Sequence, residues 1–433
     1  MPVQKSLGVQ VLDVAIIGAG PAGLAAAIEF AKLPYVRWRL YEQATAIREI
    51  GAGISIQRNT RRILDVLGAS KNFGPQDYFR APDHHLVQHR NGRTGELLVS
   101  HDQLDTPPQH LHARTRRSVL QNALLKEVDL SHARLKSRLV KIERQPNGRL
   151  RLLFEDGFDD EVDLVVGADG VRSVVRSFAF PQHKIAYTGR KAFRSLVSYE
   201  KMATIPNVPN AVTFWQGPRS WLYTCPLGSN VFEITTMVTE PDPRESQVSW
   251  GQDATVDQVT PYFEDFAQIV KDIITLTPEV RQYALFAGPR LNTVVAQGSV
   301  ALVGDASHPL SGAFGAGAGF ALEDVFVLTR AIDWAHTRGL ALRDALKLFD
   351  EVRSPYYRSL YAILEKFAKT EASLRDMNPS PTFDEAVRVI VDNNWGYDHS
   401  WMYHYDVQKV WQEAVHAEHR RRANTGSVQS ARL

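Results

Sequence analysis

A short glycine-rich segment near the start of the chain has the residue types and spacing to hold a dinucleotide. Gly18, Gly20 and Gly23 form the pattern GxGxxG, directly after an apolar run and before an alanine-rich helical pattern. These glycines permit a tight turn, close approach of the backbone to a pyrophosphate, and close packing of helix on strand. The helix N-terminus adds N–H donors and its dipole. Glu42, 19 residues after Gly23, is placed to accept hydrogen bonds from ribose hydroxyls. A glycine-rich turn in some other α/β protein is the alternative.

Two further blocks have the same character. The sequence GADGVRS spans Gly167 to Ser173, and VGDASHPL spans Val303 to Leu310 before running into the glycine-rich GAFGAGAG. Each block follows an apolar strand pattern. Asp305, at a strand end, can bond a cofactor hydroxyl, and the amides around Gly317 and Ala318 at a helix N-terminus can hold a phosphate or a polar ring edge. Three separated blocks of this type predict a bound dinucleotide cofactor.

The elements that must position these blocks follow from the hydrophobic periodicity. A strand, a helix and a second strand up to Glu42 form a βαβ unit, whose parallel strands must be buried under helices. From about Phe193 to Val238 short β-branched and aromatic runs separated by turns predict an antiparallel sheet inserted between two halves of the nucleotide domain. We therefore predict an α/β fold with these boundaries: 10–180 and 291–340 for the two halves of the cofactor domain, 181–290 for the inserted substrate sheet, 341–418 for C-terminal helices and 419–433 for a polar tail.

Composition narrows the class of protein. A chain of 433 residues suits two domains that share one ligand crevice, and a net charge of +2 is too small for a nucleic-acid partner. The single cysteine, Cys225, cannot form an intrachain disulfide or a cysteine metal cluster, so we expect no metal and a reducing, cytoplasmic environment. No apolar run is long enough for a membrane span. The last three residues, Ala431 to Leu433, loosely resemble a peroxisomal address, with a frayed tail as the alternative.

Together, the three blocks resemble the FAD fingerprint, the DG motif and the GD motif of the single-component FAD-dependent aromatic hydroxylases. REIGAGI at Arg48 to Ile54 and WMYHYDV at Trp401 to Val407 are similar to the fungal salicylate hydroxylase-like branch. The resemblance extends from Asp13 to about Val407. It implies a Rossmann-like FAD domain of the para-hydroxybenzoate hydroxylase type, noncovalent FAD, and NAD(P)H and O2 as co-substrates.

The resemblance also implies site residues. Glu42 would bind the adenosine ribose, the backbone at Ala52 and Gly53 would line the flavin, and Arg117 would reach the phosphates, with Arg116 as its rival. The DG block, including Asp169, would help to line the groove in which NAD(P)H binds transiently, and NADH and NADPH are not distinguished. Further residues implied to contact FAD lie in the GD block: Asp305, Gly317 and Ala318. His308 is interpreted as a structural residue rather than a catalytic base.

The chain departs from the family pattern at two places near the expected flavin face. Gly312 stands where the GD block usually has a proline, and Arg58 with Asn59 stands where a Pro-Asn pair usually follows REIGAGI. These changes leave FAD binding expected and put the fine geometry of oxygen activation in question.

The predicted catalytic residues lie in the inserted sheet. Arg194 in KAFRS and Tyr223 in WLYTCPL are 29 residues apart on successive strand segments. They match the arginine and tyrosine that dearomatising fungal members place against a substrate phenolate. Such a pair would stabilise and hydrogen-bond a phenol facing an electrophilic flavin hydroperoxide. The alternative is an ordinary surface arginine and core tyrosine.

The function predicted from the sequence is hydroxylation of a small phenolic ring, with ortho, decarboxylating and dearomatising outcomes all open. A flavin reductase or dehydrogenase without oxygen insertion, and a non-catalytic FAD-binding protein, are the competing classes. The oligomeric state is not predicted.

Overall fold

The structure, a computed structural model, describes residues 11–47, 53–104, 106–240, 250–276, 279–310, 312, 314–396, 399 and 401–430. In chain order its strands are β1 (Leu12–Ile17), β2 (Val36–Tyr41), β3 (Gly53–Ile56), β4 (Tyr78–Phe79), β5 (His85–Asn91), β6 (Leu97–Asp102), β7 (Ala113–Arg116), β8 (Ala133–Arg134), β9 (Leu139–Arg144), β10 (Leu150–Phe154), β11 (Asp159–Val162), β12 (Leu164–Gly167), β13 (Ala186–Ser198), β14 (Thr213–Gln216), β15 (Ser220–Gly228), β16 (Val231–Thr239), β17 (Trp250–Thr255), β18 (Glu279–Ala287), β19 (Val295–Ala296) and β20 (Val300–Leu302). Its α-helices are α1 (Pro21–Phe30), α2 (Arg58–Leu67), α3 (Arg117–Leu125), α4 (Val174–Ala179), α5 (Tyr199–Met202), α6 (Gln268–Thr275), α7 (Gly317–His336), α8 (Leu342–Asp376), α9 (Phe383–Trp395), α10 (Trp401–His404) and α11 (Val407–Ser430).

A six-stranded sheet forms the centre of the first layer, in the order β19-β20-β12-β1-β2-β8. Its inner strands are parallel, because β1 pairs with β2 and β12, and β12 pairs with β20. Five of the six residues of β1 are buried, which is the pattern of a parallel strand covered on both faces. Helices α1 and α7 pack on this sheet, and both are buried along most of their length. The carboxyl ends of β1, β12 and β20 therefore meet at one edge.

An eight-stranded sheet in the order β17-β18-β13-β16-β15-β14-β5-β6 forms the second layer. Alternate residues of its strands point to opposite faces. One face is apolar, with Phe193, Leu222 and Ile234 packed over Phe263 and the buried side of α6. The other face carries the polar residues of the candidate site. A small sheet, β3-β7-β4, packs against strand β15 of the eight-stranded sheet.

The α/β fold class is confirmed, with a parallel cofactor-type sheet and a second sheet between its two halves. The second sheet differs from the expectation in two respects. Strands β5 and β6, from the first half of the chain, join it, and β14 pairs with β5 in parallel while the sheet's other pairs are antiparallel.

The C-terminal region is helical as predicted, but helix α11 continues through 419–430 with no break at 418. Residues Ala431 to Leu433 lie outside the described residues. Among the helices that the structure describes, none is long and apolar enough to cross a membrane.

Candidate functional site

The glycine-rich turn lies at the carboxyl end of β1 and leads directly into α1. Gly18 has a φ of +100°, and a Cβ there would lie 2.6 Å from the carbonyl oxygen of Ala168, so a larger residue would be both strained and obstructed. A Cβ on Gly23 would lie 1.8 Å from the oxygen of Gly18, which explains the close packing of the helix. By contrast, the Cβ direction of Gly20 meets no atom within 4 Å. The open side of the turn is therefore at Gly20, at the helix N-terminus, where a pyrophosphate would bind.

Glu42 follows the end of β2 and already holds this turn. Its Oε2 accepts a hydrogen bond from the backbone N–H of Ala19 at 2.8 Å, and its Oε1 accepts one from Ala44 at 2.8 Å. Because a carboxylate has about four lone-pair positions, both oxygens can accept a further hydrogen bond. Glu42 is thus placed beside the open turn, and the ribose contact stays a prediction.

The third block brings Asp305, Gly317 and Ala318 to the same edge. Asp305 is exposed at the end of β20, and a Cβ on Gly317 would lie 3.7 Å from its Oδ1. Gly317 and Ala318 begin the 20-residue helix α7, whose N-terminal N–H groups point out of the helix. The ends of β1, β2 and β20 and the N-termini of two helices together form a cradle for a dinucleotide.

Asp169, from the second block, is engaged within the protein. Its Oδ2 accepts from the backbone N–H groups of Val174 at 2.7 Å and Val175 at 3.1 Å, and Ser173 donates to its Oδ1. Burial raises the pKa of the Asp169 carboxyl. Asp169 therefore caps α4 and fixes the loop after β12, and a direct contact with a cofactor stays a prediction.

The remaining residues predicted to lie near the flavin have varied outcomes. Gly53 begins β3, Arg117 begins α3, and Ala52 lies outside the described residues. A Cβ on Gly53 would lie 2.4 Å from Glu233 Oε2 and 2.6 Å from Arg114 Nη2. Strand β3 therefore lies directly against the polar face of the eight-stranded sheet.

Arg194 and Tyr223 lie on that polar face. Thr235 on β16 pairs with Arg194 on one side and with Tyr223 on the other, so the three side chains share a face and a row. Two strand spacings, or about 10 Å, separate the backbones of the two residues, a gap that a guanidinium and a phenol ring can close on a small ligand.

Burial shapes the chemistry of both side chains. It lowers the pKa of the Arg194 guanidinium, whose Nε has no hydrogen-bond partner among the described residues. It raises the pKa of the Tyr223 hydroxyl well above its usual value, so this tyrosine is neutral. The pair thus offers a desolvated positive charge and a neutral hydroxyl, which suits a phenolate oxygen.

Sequence reasoning missed an ion pair beside this row. Arg114 on β7 donates from Nη2 to Glu233 Oε2 at 2.6 Å, with side chains only 6% and 4% exposed, and from Nη1 to Ser55 Oγ at 2.9 Å. The guanidinium carbon of Arg114 lies 5.3 Å from the centre of the Tyr223 ring. A carboxylate within the strand sequence VFEITTMV was the available signal, since a charge in a buried strand needs a partner.

His308 has the structural role that we interpreted from the sequence. It is 1% exposed, and its Nε2 lies 2.9 Å from Asp324 Oδ2. Asp324 also accepts from Arg353 Nε at 2.8 Å, and Arg353 Nη2 lies 3.0 Å from Glu323 Oε2. Burial raises the pKa of the Glu323 carboxyl to about 7. This buried network ties α7 to α8 directly behind the cradle.

The two departures have physical consequences. Gly312 has a φ of +72°, which a proline cannot adopt. The backbone at this position is therefore incompatible with the proline that the family usually has. Arg58 begins α2, and the adjacent Asn59 is buried and donates to Glu323 Oε1 at 2.6 Å. The asparagine thus joins the network behind the cradle.

Comparison with known proteins agrees with this geometry. The sequence matches the family described as FAD binding domain over residues 11–362. The chain is 28% identical over 358 residues to 3-amino-4-hydroxybenzoate 2-monooxygenase PtmB3 of Streptomyces platensis, covering 80% of this chain and 85% of that protein. It is 27% identical over 369 residues to salicylate hydroxylase of Pseudomonas putida, covering 80% and 82%.

The fold is also similar to that of a solved structure. A salicylate hydroxylase substrate complex superposes with a TM-score of 0.76 at 22% identity, covering 94% of this chain and 98% of that one. At this identity the likeness concerns the fold.

Proposed function

The chain belongs to the FAD binding domain family, and on that premise we propose that it hydroxylates a small phenol bound between Arg194 and Tyr223. It is an enzyme with FAD as its cofactor and is of the FAD-dependent aromatic monooxygenase type. The phenolic substrate, the roles of these two residues and the use of NAD(P)H are the parts that we propose.

One observation carries the proposal. Strand β3, predicted to line the flavin, packs directly on the sheet face that carries the predicted phenol-binding pair, as the close approach of Gly53 to Glu233 and Arg114 demonstrates. The buried Tyr223 and half-buried Arg194 also suit a reaction that must exclude water.

The cradle at the edge of the parallel sheet fits FAD, because its open side is at Gly20 and its exposed carboxylate is Asp305. Gly18, Gly20 and the N-terminus of α1 would hold the pyrophosphate, Glu42 the adenosine ribose, and Asp305 the ribitol. Gly317 and Ala318 would contact the ring end of the cofactor through the N-terminus of α7. When bound, FAD supplies the redox chemistry that activates O2 with electrons from NAD(P)H.

The protein's own residues would prepare the phenol. Arg194 would attract the phenolic oxygen as negative charge grows on it, since a fixed guanidinium in a dry site needs little reorganisation. Tyr223, neutral because it is buried, would donate a hydrogen bond to the same oxygen. Together they would make the ring carbon ortho to this oxygen a better nucleophile and hold that carbon toward the flavin edge.

The proposal includes an intracellular location, supported by the single, buried Cys225. NAD(P)H and O2 are the other small partners.

Product analysis with a panel of phenols tests the proposal. FAD-loaded protein is incubated with NADH or NADPH and each of phenol, salicylate, resorcinol and orcinol, and products are identified by mass spectrometry. We expect a hydroxylated product from at least one phenol, together with phenol-dependent consumption of the nicotinamide. Tyr223→Phe is expected to keep the FAD spectrum and lose most of the product. Consumption of NAD(P)H with every phenol but no hydroxylated product would instead support a reductase.

A further inference from the structure

The polar face of the eight-stranded sheet carries a charged group that the proposed function does not use. Glu233 is buried between β3 and the sheet, bonded to Arg114 Nη2 at 2.6 Å and accepting from Thr235 Oγ1 at 3.3 Å. A buried carboxylate is retained only where its charge is compensated. The position of Glu233 relative to Arg194 and Tyr223 therefore determines whether its charge can affect a phenol bound between them.

Glu233 is two residues from Thr235 on β16, so both side chains point to the same face. Thr235 is flanked by Arg194 and Tyr223, and Glu233 is flanked by Leu196 and Cys225. Glu233 is thus the diagonal cross-strand neighbour of both members of the pair, a separation that long side chains span. Its charge raises the pKa of Arg194, which burial lowers, so the two charges interact.

The charges of this cluster do not cancel. Glu233 is a carboxylate that faces two guanidiniums, the buried Arg114 by direct contact and the half-buried Arg194 across the sheet. Burial raises the pKa of the Cys225 thiol to about 12, so the thiol, like the Tyr223 hydroxyl, is neutral. The ionisable groups that also face Glu233 or its two arginines are Arg117 on α3, His112 directly before β7, Tyr223 and Cys225 on β15 and Tyr283 on β18. The remaining positive charge suits an anionic ligand, and Glu233 limits how strongly that anion is favoured.

We propose that Glu233 is a positioning residue that sets, through its two guanidinium neighbours, how readily the bound phenol loses its proton. This inference rests on the proposed function. Without the carboxylate, Arg194 would act on the phenol undiminished, and the phenolate would form at lower pH. Without the Arg114 charge, the negative charge of Glu233 would offset more of the positive charge of Arg194, and the phenolate would form at higher pH.

The opposite signs of these effects provide the test. The ionisation of 4-nitrophenol bound to the FAD-loaded protein is followed by difference absorption over a range of pH. We expect Glu233→Gln to increase the acid dissociation constant of the bound phenol by about tenfold or more, and Arg114→Gln to decrease it by a similar factor. Arg114→Lys, which keeps the charge, is expected to stay within about threefold of the wild type. A merely structural role would not move the two variants in opposite directions.

Two controls make the result decisive. Asp13→Asn removes a similarly buried carboxylate, paired with Arg37 and Arg149 near the amino end of β1, and should leave the ionisation unchanged. If Arg114→Gln does not fold, Glu233→Gln and the double variant Arg114→Gln/Glu233→Gln carry the test, and the double variant is expected to return toward the wild type.

The outcomes separate this inference from the proposed function. An unchanged or decreased acid dissociation constant in Glu233→Gln, with an altered one in Arg194→Met, overturns the role of Glu233 alone. Unaltered ionisation in Arg194→Met overturns the phenol site itself. Failure of 4-nitrophenol to bind the wild-type protein at any pH overturns both.

Discussion

Replacing Arg194 by Met keeps most of the side-chain volume while removing a half-buried positive charge from the proposed phenol site. A guanidinium 4 Å from a phenolate contributes about 4 kcal/mol at an effective dielectric constant near 20. Because the ring reacts as the phenolate, losing this attraction lowers the fraction of bound phenol in the reactive form, and with it the rate, by up to about a thousandfold. We therefore expect kcat/KM for hydroxylation to fall by about 10² to 10³.

Although Arg194→Met should reduce activity, we do not expect it to reduce the stability of the fold. Burial lowers the pKa of Arg194, and its Nε lacks a partner among the described residues, so the folded protein holds this charge at a cost. Arg194→Met should consequently unfold at the wild-type temperature or above while retaining FAD. Thermal unfolding and the flavin absorption spectrum check both points.

The division between kcat and KM tells how the arginine acts. A fall in kcat that persists at saturating phenol indicates that the arginine favours the reactive phenolate in the bound complex, whereas a change in KM alone indicates that it only anchors the phenol. The control is Arg281→Met. Arg281 pairs with Arg194 in the same row and its side chain is 47% exposed, so we expect this substitution to leave kcat/KM for hydroxylation unchanged. Wild-type hydroxylation by Arg194→Met, or loss of FAD from it, would refute the reasoning.

Three further predictions concern the cofactor, the substrate and pH. Asp305→Ala should weaken FAD binding at unchanged stability because this side chain is exposed. Glu42→Ala should weaken both FAD binding and stability, since it leaves the Ala19 N–H unpaired at a cost of about 1–3 kcal/mol. Equilibrium dialysis measures the first effect and denaturant titration the second, and wild-type FAD affinity in both variants would remove the assignment. Tyr223→Phe should lose about 10² in kcat with its FAD spectrum intact, measured by product formation, and a wild-type rate would place the pocket elsewhere. Because burial raises the pKa of Glu323 to about 7, the folded state binds more protons than the unfolded state between about pH 4.5 and 7, and its contribution to stability falls as pH rises through this window. Glu323→Gln should therefore gain about 1–3 kcal/mol relative to the wild type between pH 5 and pH 8 in urea titrations, and a constant difference would contradict this.

Local rules predict the cofactor cradle well from the sequence. The turn at Gly18, the open position at Gly20 and the helix starting at Gly317 each depend on a few adjacent residues and on the strand before them. The carboxyl ends of parallel strands meet by topology, so Glu42 and Asp305 could be assigned to one edge without coordinates.

The polar face of the eight-stranded sheet was less predictable because it depends on pairings between distant segments. The register that places Thr235 between Arg194 and Tyr223 follows from tertiary structure rather than from sequence spacing. The Arg114–Glu233 pair joins residues 119 positions apart, and no local pattern specifies its partner. For the same reason the sequence did not indicate that β5 joins the second sheet, through a parallel pairing with β14.

The proposed function requires that one atom of O2 is inserted into the phenolic ring, and isotope labelling measures this insertion directly. FAD-loaded protein, NAD(P)H and a phenol that supports turnover are incubated under ¹⁸O2, and the isotopic mass of the product is measured by mass spectrometry. We expect a hydroxylated ring carrying one ¹⁸O atom, formed by the wild type and lost in Arg194→Met. A product without the label, or NAD(P)H oxidation that yields only reduced oxygen species, would contradict it.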